Sequence, residues 1–214
     1  MIRVLLADDH AIVRAGLRAL LAAQPDIAVV GEASDGREAL ELLASLTPDV
    51  LLLDLSMAGL NGVEALRRAK AQSAGTRVLV LSMHAAPEYV RPALAAGADG
   101  YVVKGAGLDD LVEALRTVAA GGRFLGPEAA RLVDAATTDL QPIGDDELGR
   151  LTPREREVLQ LVAEGHTNKE IATILGCSHK TVDAHRTHLM AKLDLHDAPS
   201  VTRFALRRGL ISSE

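Results

Sequence analysis

Val50-Leu-Leu-Leu-Asp54 decides the fold of the first part of this chain. Four consecutive apolar residues without alternation read as a strand buried on both faces, which is the habit of parallel sheets covered by helices on either side. An acid closes the run. Upstream, the short apolar run Ile2–Ala7 closes in the same way, on Asp8-Asp9. Three further runs, Ile27–Gly31, Arg77–Leu81 and Gly100–Val103, bring the β-segments to five. Helix-period segments separate them: Ala11–Ala23, Arg37–Ser45, Val63–Lys70, one after Pro87, and Leu108–Ala120. Repeated βα units of this kind predict a doubly wound, five-stranded parallel sheet.

In an open α/β sheet the carboxyl ends of the strands face the ligand crevice, so Asp8, Asp9 and Asp54 are expected to converge there. Close carboxylates repel, and a divalent cation with oxygen ligands relieves that repulsion. Mg²⁺ suits the site better than zinc, because no Cys or His cluster accompanies the acids. Ser82 ends the fourth run and Lys104 the fifth. A carboxylate nucleophile, a cation, a lysine and a hydroxyl together suit a phosphoryl group. Taken singly the same residues are ordinary: a strand-end Asp is a turn former, Ser82 a cap, Lys104 a solvated charge and Tyr101 a half-buried strand aromatic.

The set Asp8-Asp9, Asp54, Ser82, Lys104 resembles the receiver domain of two-component response regulators, over residues 1–121. The resemblance implies a flavodoxin-like fold and makes Asp54 the phosphoacceptor. It assigns Mg²⁺ to Asp9, Asp54 and the backbone carbonyl of Ser56, with Asp8 acting through water. Ser82 and Lys104 read the phosphoryl oxygens, and Tyr101 matches the aromatic that swings inward when the hydroxyl residue moves. Two positions depart from the pattern. Ala58 stands where proline is usual in the loop after the phosphoacceptor, and Gly105 follows Lys104 where proline permits a cis peptide. A non-proline cis bond costs roughly 3–4 kcal/mol, so a trans Lys104–Gly105 bond is expected.

After Gly121-Gly122 the periodicity weakens, and residues 122–149 read as a linker carrying a short helix, Pro127–Ala136. Thr137–Gly149 is polar and acidic. From Thr152 onward every segment reads as helix: Pro153–Ala163, Asn168–Leu175, His179–Leu193 and Ala198–Arg208, with Gly165 and Gly176 at the breaks. Thr152-Pro153-Arg154-Glu155 and Thr167-Asn168-Lys169-Glu170 both carry a hydroxyl cap and a glutamate three residues on. In the third helix Val182, Leu189 and Leu193 pack inward, while His179, Lys180, Asp183, Arg186 and Thr187 face out. Two helices joined by a short turn, the second with an outward polar face, describe a helix-turn-helix.

Charge is divided unevenly. The whole chain is −6, yet residues 151–214 hold nine Lys/Arg against eight Asp/Glu, and five of the seven histidines. A strongly basic nucleic-acid scaffold is excluded, but a DNA-reading helix in the second part is not. The first ten residues hold Arg3, Asp8 and Asp9, and no apolar run approaches the roughly 18 uncharged residues of a membrane span. Cys177 is the single cysteine, so no internal disulfide forms. A cytoplasmic location without membrane contact is expected.

The run from Leu151-Thr-Pro-Arg-Glu-Arg-Glu-Val-Leu159 through Asn168-Lys-Glu-Ile-Ala172 to Thr181-Val-Asp-Ala-His-Arg186 resembles the LuxR-type DNA-binding domain, placed at residues 150–214 with four helices. With the receiver, the chain resembles the NarL/FixJ subfamily. That likeness places Asp183, Ala184, Arg186 and Thr187 in the major groove, and gives Lys169, Lys180, Thr181, His185 and Lys192 to phosphates or positioning. Its implied partners are a sensor histidine kinase, double-stranded DNA, a second copy of the chain and RNA polymerase. Three alternatives stay open. A small aspartyl-phosphate phosphatase or transferase would want an acid two residues after its nucleophile, where Ser56 stands. A constitutive DNA binder with a degenerate receiver follows if Ala58 and Gly105 disable the site. Cys177, His179, His185 and His188 would suit a metal instead.

Overall fold

A computed structural model describes residues 1–57, 59–136, 147–208 and 210–211; Ala58 and most of the acidic segment after Ala136 lie outside them. The chain divides into two compact units, Met1–Asp139 and Leu140–Glu214.

In the first unit β1 (Ile2–Ala7), α1 (Ala11–Ala22), β2 (Ile27–Ala33), α2 (Gly36–Leu46), β3 (Val50–Leu53), α3 (Gly62–Gln72), β4 (Arg77–Ser82), α4 (Pro87–Ala95), β5 (Gly100–Val103) and α5 (Leu108–Ala119) alternate strictly. The strands pair in parallel in the order β2-β1-β3-β4-β5-β6, where β6 is Phe124–Leu125. The expectation of five strands is therefore corrected to six. A two-residue strand has no room for a period-2 signal, and this one follows a glycine pair that reads as a break. Its register is set by Gly100 opposite Phe124 and Tyr101 opposite Leu125.

Successive side chains of a strand point to opposite faces, so an unbroken apolar run feeds two cores. Leu5, Leu51, Leu53, Val78, Val80 and Tyr101 join one core with residues of α2, α3 and α4. Val4, Leu6, Val50, Leu52, Leu79 and Val102 join the other with Leu21 of α1 and Leu111, Leu115 and Val118 of α5. Helix α6 (Pro127–Ala136) belongs to the first unit: Ala129 is fully buried in the core that holds Tyr101, and Leu132 packs against it.

Asp99, just before β5, ties the amino-terminal rim of the sheet together. It accepts from Lys70 Nζ at 2.8 Å, Arg77 at 2.9 Å and the Val78 amide at 2.8 Å. Burial works to raise its pKa, but the Lys70, Val78 and Arg77 bonds outweigh burial and hold the carboxyl below its ordinary 3.8. A depressed folded-state value means the stabilisation is complete above the unfolded-state pKa and is lost as pH falls through the folded one. Asp99→Asn is expected to cost about 2 kcal/mol at neutral pH. In urea denaturation at a series of pH values, the gap to wild type should close below about pH 4.

In the second unit α7 (Pro153–Ala163), α8 (Asn168–Ile174), α9 (His179–Leu193) and α10 (Ala198–Arg207) surround Val158, Leu159, Leu161, Ile171, Val182, Leu189, Val201 and Phe204. Both anticipated capping boxes form: Thr152 with Glu155 and Thr167 with Glu170 exchange side-chain and backbone bonds at the starts of α7 and α8.

Candidate functional site

Strand order reverses at β1, which lies between β2 and β3, and the acids sit at the carboxyl ends of β1 and β3, where such a reversal opens a crevice. Asp8 and Asp54 are each only 2% exposed, and Asp9 is half-buried. Ligand atoms of Asp8, Asp9, His10 and Asp54 all lie within 4.8 Å of one another. Lys104 reaches in from the end of β5, its Nζ 2.7 Å from Asp54 Oδ2 and 2.6 Å from Asp8 Oδ2. Burial raises the pKa of Asp54, against the pull of the Lys104 bond. Burial also works against the Lys104 charge, but Asp54 and Asp8 prevail and hold its pKa above the ordinary lysine value.

The remaining predicted residues are placed around this core. Ser56 donates its backbone N–H to Asp54 Oδ1 at 3.1 Å. Ser82 is fully buried, its hydroxyl accepts from the His84 amide at 3.2 Å, and its carbonyl accepts from the Lys104 amide at 2.7 Å. Tyr101 is fully buried and donates its hydroxyl to the His84 carbonyl at 2.6 Å. Burial pushes the Tyr101 phenol up to about 12, with the Ser82 hydroxyl pulling the other way. The His84 ring stacks on Tyr89 of α4 at 4.1 Å, so the β4–α4 loop is joined to both Tyr101 and α4. Lys104 makes its contacts with no cis peptide among the described residues, and Gly105 takes φ +114°, a conformation closed to proline.

Two neighbours escaped the sequence reading. His10 Nδ1 lies 2.6 Å from Asp9 Oδ1, and Arg14 donates to the Asp8 carbonyl at 2.5 Å. Adjacency to Asp8-Asp9, and one helical turn beyond it, were the only signals for them. The donor set suits a hard divalent cation: clustered carboxylate oxygens dominate it, and a lysine ammonium already sits on two of them. Chemically the arrangement offers one carboxylate oxygen as a nucleophile toward phosphorus, with cationic groups to neutralise the transferred oxygens.

In the second unit α8 and α9 meet through a short turn, and the Ser178 side chain caps α9 by accepting from the Thr181 amide at 3.1 Å. Val182, Leu189 and Leu193 are buried. Lys169, Lys180, Thr181, Asp183, Ala184 and Thr187 are exposed, while His185 and Arg186 are half-buried. Lys192, though exposed, is drawn back to Glu155 at 2.6 Å. That bond, after burial has worked the other way, holds Glu155 below the usual carboxylate range. Among the described residues the acidic cluster of the first unit is the group of His, Cys, Asp and Glu close enough to hold an ion; the cluster around Cys177 is not one.

Residues 4–116 match the response regulator receiver domain family, and residues 149–205 match the luxR family of bacterial regulatory proteins. The chain belongs to the NarL/FixJ-type response regulators. This regulator is 41% identical over 214 residues to the transcriptional regulatory protein LiaR of Bacillus subtilis, covering 99% of this chain and 100% of LiaR. It is 41% identical over 192 residues to the nitrate/nitrite response regulator NarL of Escherichia coli, covering 90% of this chain and 89% of NarL. A solved RcsB–DNA complex superposes with a TM-score of 0.60 at 31% identity, covering 97% of the regulator and 98% of RcsB. LiaR is named a transcriptional regulatory protein, and NarL and RcsB are named response regulators. No helix among the described residues is long and apolar enough to cross a membrane.

Proposed function

We propose that a sensor histidine kinase phosphorylates this regulator on Asp54 in the cytoplasm, and that the modification controls binding of a dimer to paired DNA half-sites. The carrying observation is the Asp54 carboxylate, on a side chain 1% exposed and 2.7 Å from Lys104, in a chain whose second unit is a LuxR-type helix-turn-helix. On this reading residues 1–121 are the receiver, 122–149 the connection with its short helix, and 150–214 the DNA-binding domain. Mg²⁺ would be held by Asp9, Asp54 and the Ser56 carbonyl, with Asp8 assisting through water. When bound it neutralises charge on the transferred oxygens.

An Asp54 oxygen attacks the phosphorus of a phosphohistidine; the P–N bond breaks, its electron pair stays on the imidazole nitrogen, and that nitrogen takes up a proton from solvent. Lys104 then shifts from carboxylate to phosphoryl oxygen, Ser82 offers its hydroxyl, and the Tyr101–His84 contact carries the change to α4. On DNA, Asp183, Ala184, Arg186 and Thr187 face base edges, and Lys169, Lys180, Thr181 and His185 meet phosphates. Lys192 would have to leave Glu155 to join them. RNA polymerase is the expected downstream partner.

Incubation with acetyl phosphate and Mg²⁺ should add one phosphoryl group by intact mass, and Asp54→Asn or chelation of Mg²⁺ should abolish the gain. Fluorescence anisotropy at fixed salt should then register tighter operator binding by the phosphorylated chain. Full labelling of Asp54→Asn would reject the phosphoacceptor. Equal DNA affinity with and without phosphate would make the regulator a constitutive binder.

A further inference from the structure

Asp183 and Arg186 stand three residues apart on α9, a spacing at which opposite charges pair directly. Among the contacts of the described residues they meet through Asn168, the first residue of α8. The Asn168 amide donates to Asp183 Oδ1 at 2.5 Å, and its carbonyl oxygen accepts from Arg186 at 3.0 Å. Asn168 is half-buried and fixed at its base by the Thr167–Glu170 capping box, so its own position is set by α8 and not by α9. A single planar amide thus holds an acid with its donor end and a base with its acceptor end.

We propose that Asn168 is a positioning residue for sequence reading by α9, a role that rests on the DNA-binding reading above. It separates two charges that would otherwise neutralise each other, and it aims each from the α8 side. Asp183 is held through one oxygen, and its second oxygen suits the exocyclic amino group of cytosine. Arg186 keeps further N–H donors for a base edge or a phosphate. The ligand class follows: half-sites with an amino donor opposite Asp183. Without the amide, Asp183 and Arg186 close on each other and both contacts with DNA weaken. Phosphate contacts made from Lys169 and Lys180 stay in place.

The test is selection from a random pool of double-stranded DNA by the full chain, treated with acetyl phosphate and Mg²⁺, followed by anisotropy on single-base variants of the enriched site. Wild type should prefer the base opposite Asp183 by roughly tenfold or more. Asn168→Ala should lose most of that preference, and the preference at the base nearest Arg186, while its affinity for unselected DNA and its salt slope stay near wild type. Asn168→Asp keeps an acceptor for Arg186 but sets like charge against Asp183. It should lose the first preference and retain the second, and this pattern decides the matter even if the alanine variant folds poorly. A general loss of folding would move both preferences together. Wild-type preferences unchanged in both variants would overturn the positioning role alone. A wild-type chain that enriches no sequence at all would instead overturn the DNA-binding reading.

Discussion

Gly62→Ala is expected to destabilise the first unit by about 3 kcal/mol and to slow phosphoryl loading of Asp54 by on the order of 10- to 100-fold. A Cβ at Gly62 would lie 2.4 Å from the Leu55 Cα, 2.6 Å from the Asp54 carbonyl oxygen and 2.9 Å from the Leu55 carbonyl oxygen. All three are backbone atoms, so no flexible side chain can swing aside. Relief requires moving either the start of α3 or the segment carrying Asp54. The start of α3 is pinned by the Asn61 cap on the Val63 amide at 2.8 Å, and by the Gly62 amide bonded to the Leu55 carbonyl at 3.2 Å. The segment carrying Asp54 must hold its carboxylate where Lys104 and the other acids meet it. Gly16→Ala on α1 supplies the contrast, because an added Cβ there meets nothing within 4 Å. In a helix interior that change should stabilise by about 0.5–1 kcal/mol. Urea denaturation and the time course of intact mass with acetyl phosphate measure both effects. Gly62→Ala within about 0.5 kcal/mol of wild type would mean that the loop yields where its packing indicates it cannot.

The same contrast explains what was legible beforehand. A strand such as Val50–Leu53, buried on both faces, writes its state into every residue, and its closing Asp54 marks the carboxyl rim. Five strands, their helices, the acidic cluster and both capping boxes could be read because each depends on residues near in sequence or on a repeated pattern. Strand β6 could not, since its two residues owe their state to the neighbouring edge of β5. Long-range side-chain partners were equally silent. Lys192 reads as a free cation on an exposed helix face, yet Glu155, 37 residues away, takes it up. Asn168 reads as an ordinary first-turn residue, and nothing local announces that it reaches Asp183 and Arg186 across the turn. The Gly62 constraint is of this kind too, because the carbonyl it must clear belongs to Asp54, just past the end of β3.

Removal of the Lys104 charge tests whether the lysine and a divalent cation compete for the same oxygens. The Lys104 side chain is 10% exposed, and the Asp8 and Asp54 side chains that it bridges are 3% and 1% exposed. Breaking a buried pair by deleting one partner leaves uncompensated charge behind, here two carboxylates facing each other. Lys104→Met keeps the apolar stem and removes only the ammonium, so in the absence of metal it should destabilise the first unit by about 3 kcal/mol at neutral pH. Mg²⁺ should then stabilise the variant more than wild type. In the variant the cation meets no ammonium on Asp54 Oδ2 and Asp8 Oδ2, and at a hundredfold excess over Kd it returns about 2.7 kcal/mol. In wild type part of that gain is spent displacing the ammonium from Asp54 Oδ2 and Asp8 Oδ2, so the rise in Tm should be smaller. Adding Asp54→Asn to Lys104→Met relieves the repulsion without metal and should shrink the Mg²⁺ response, the non-additivity expected of groups that share one site. Thermal melts across a Mg²⁺ series, with Ca²⁺ as a second hard cation, measure the difference. Equal Mg²⁺ shifts in wild type and Lys104→Met would place the cation on oxygens that the ammonium does not touch, and Lys104 would then be free to meet the phosphoryl group without first leaving the metal's ligands.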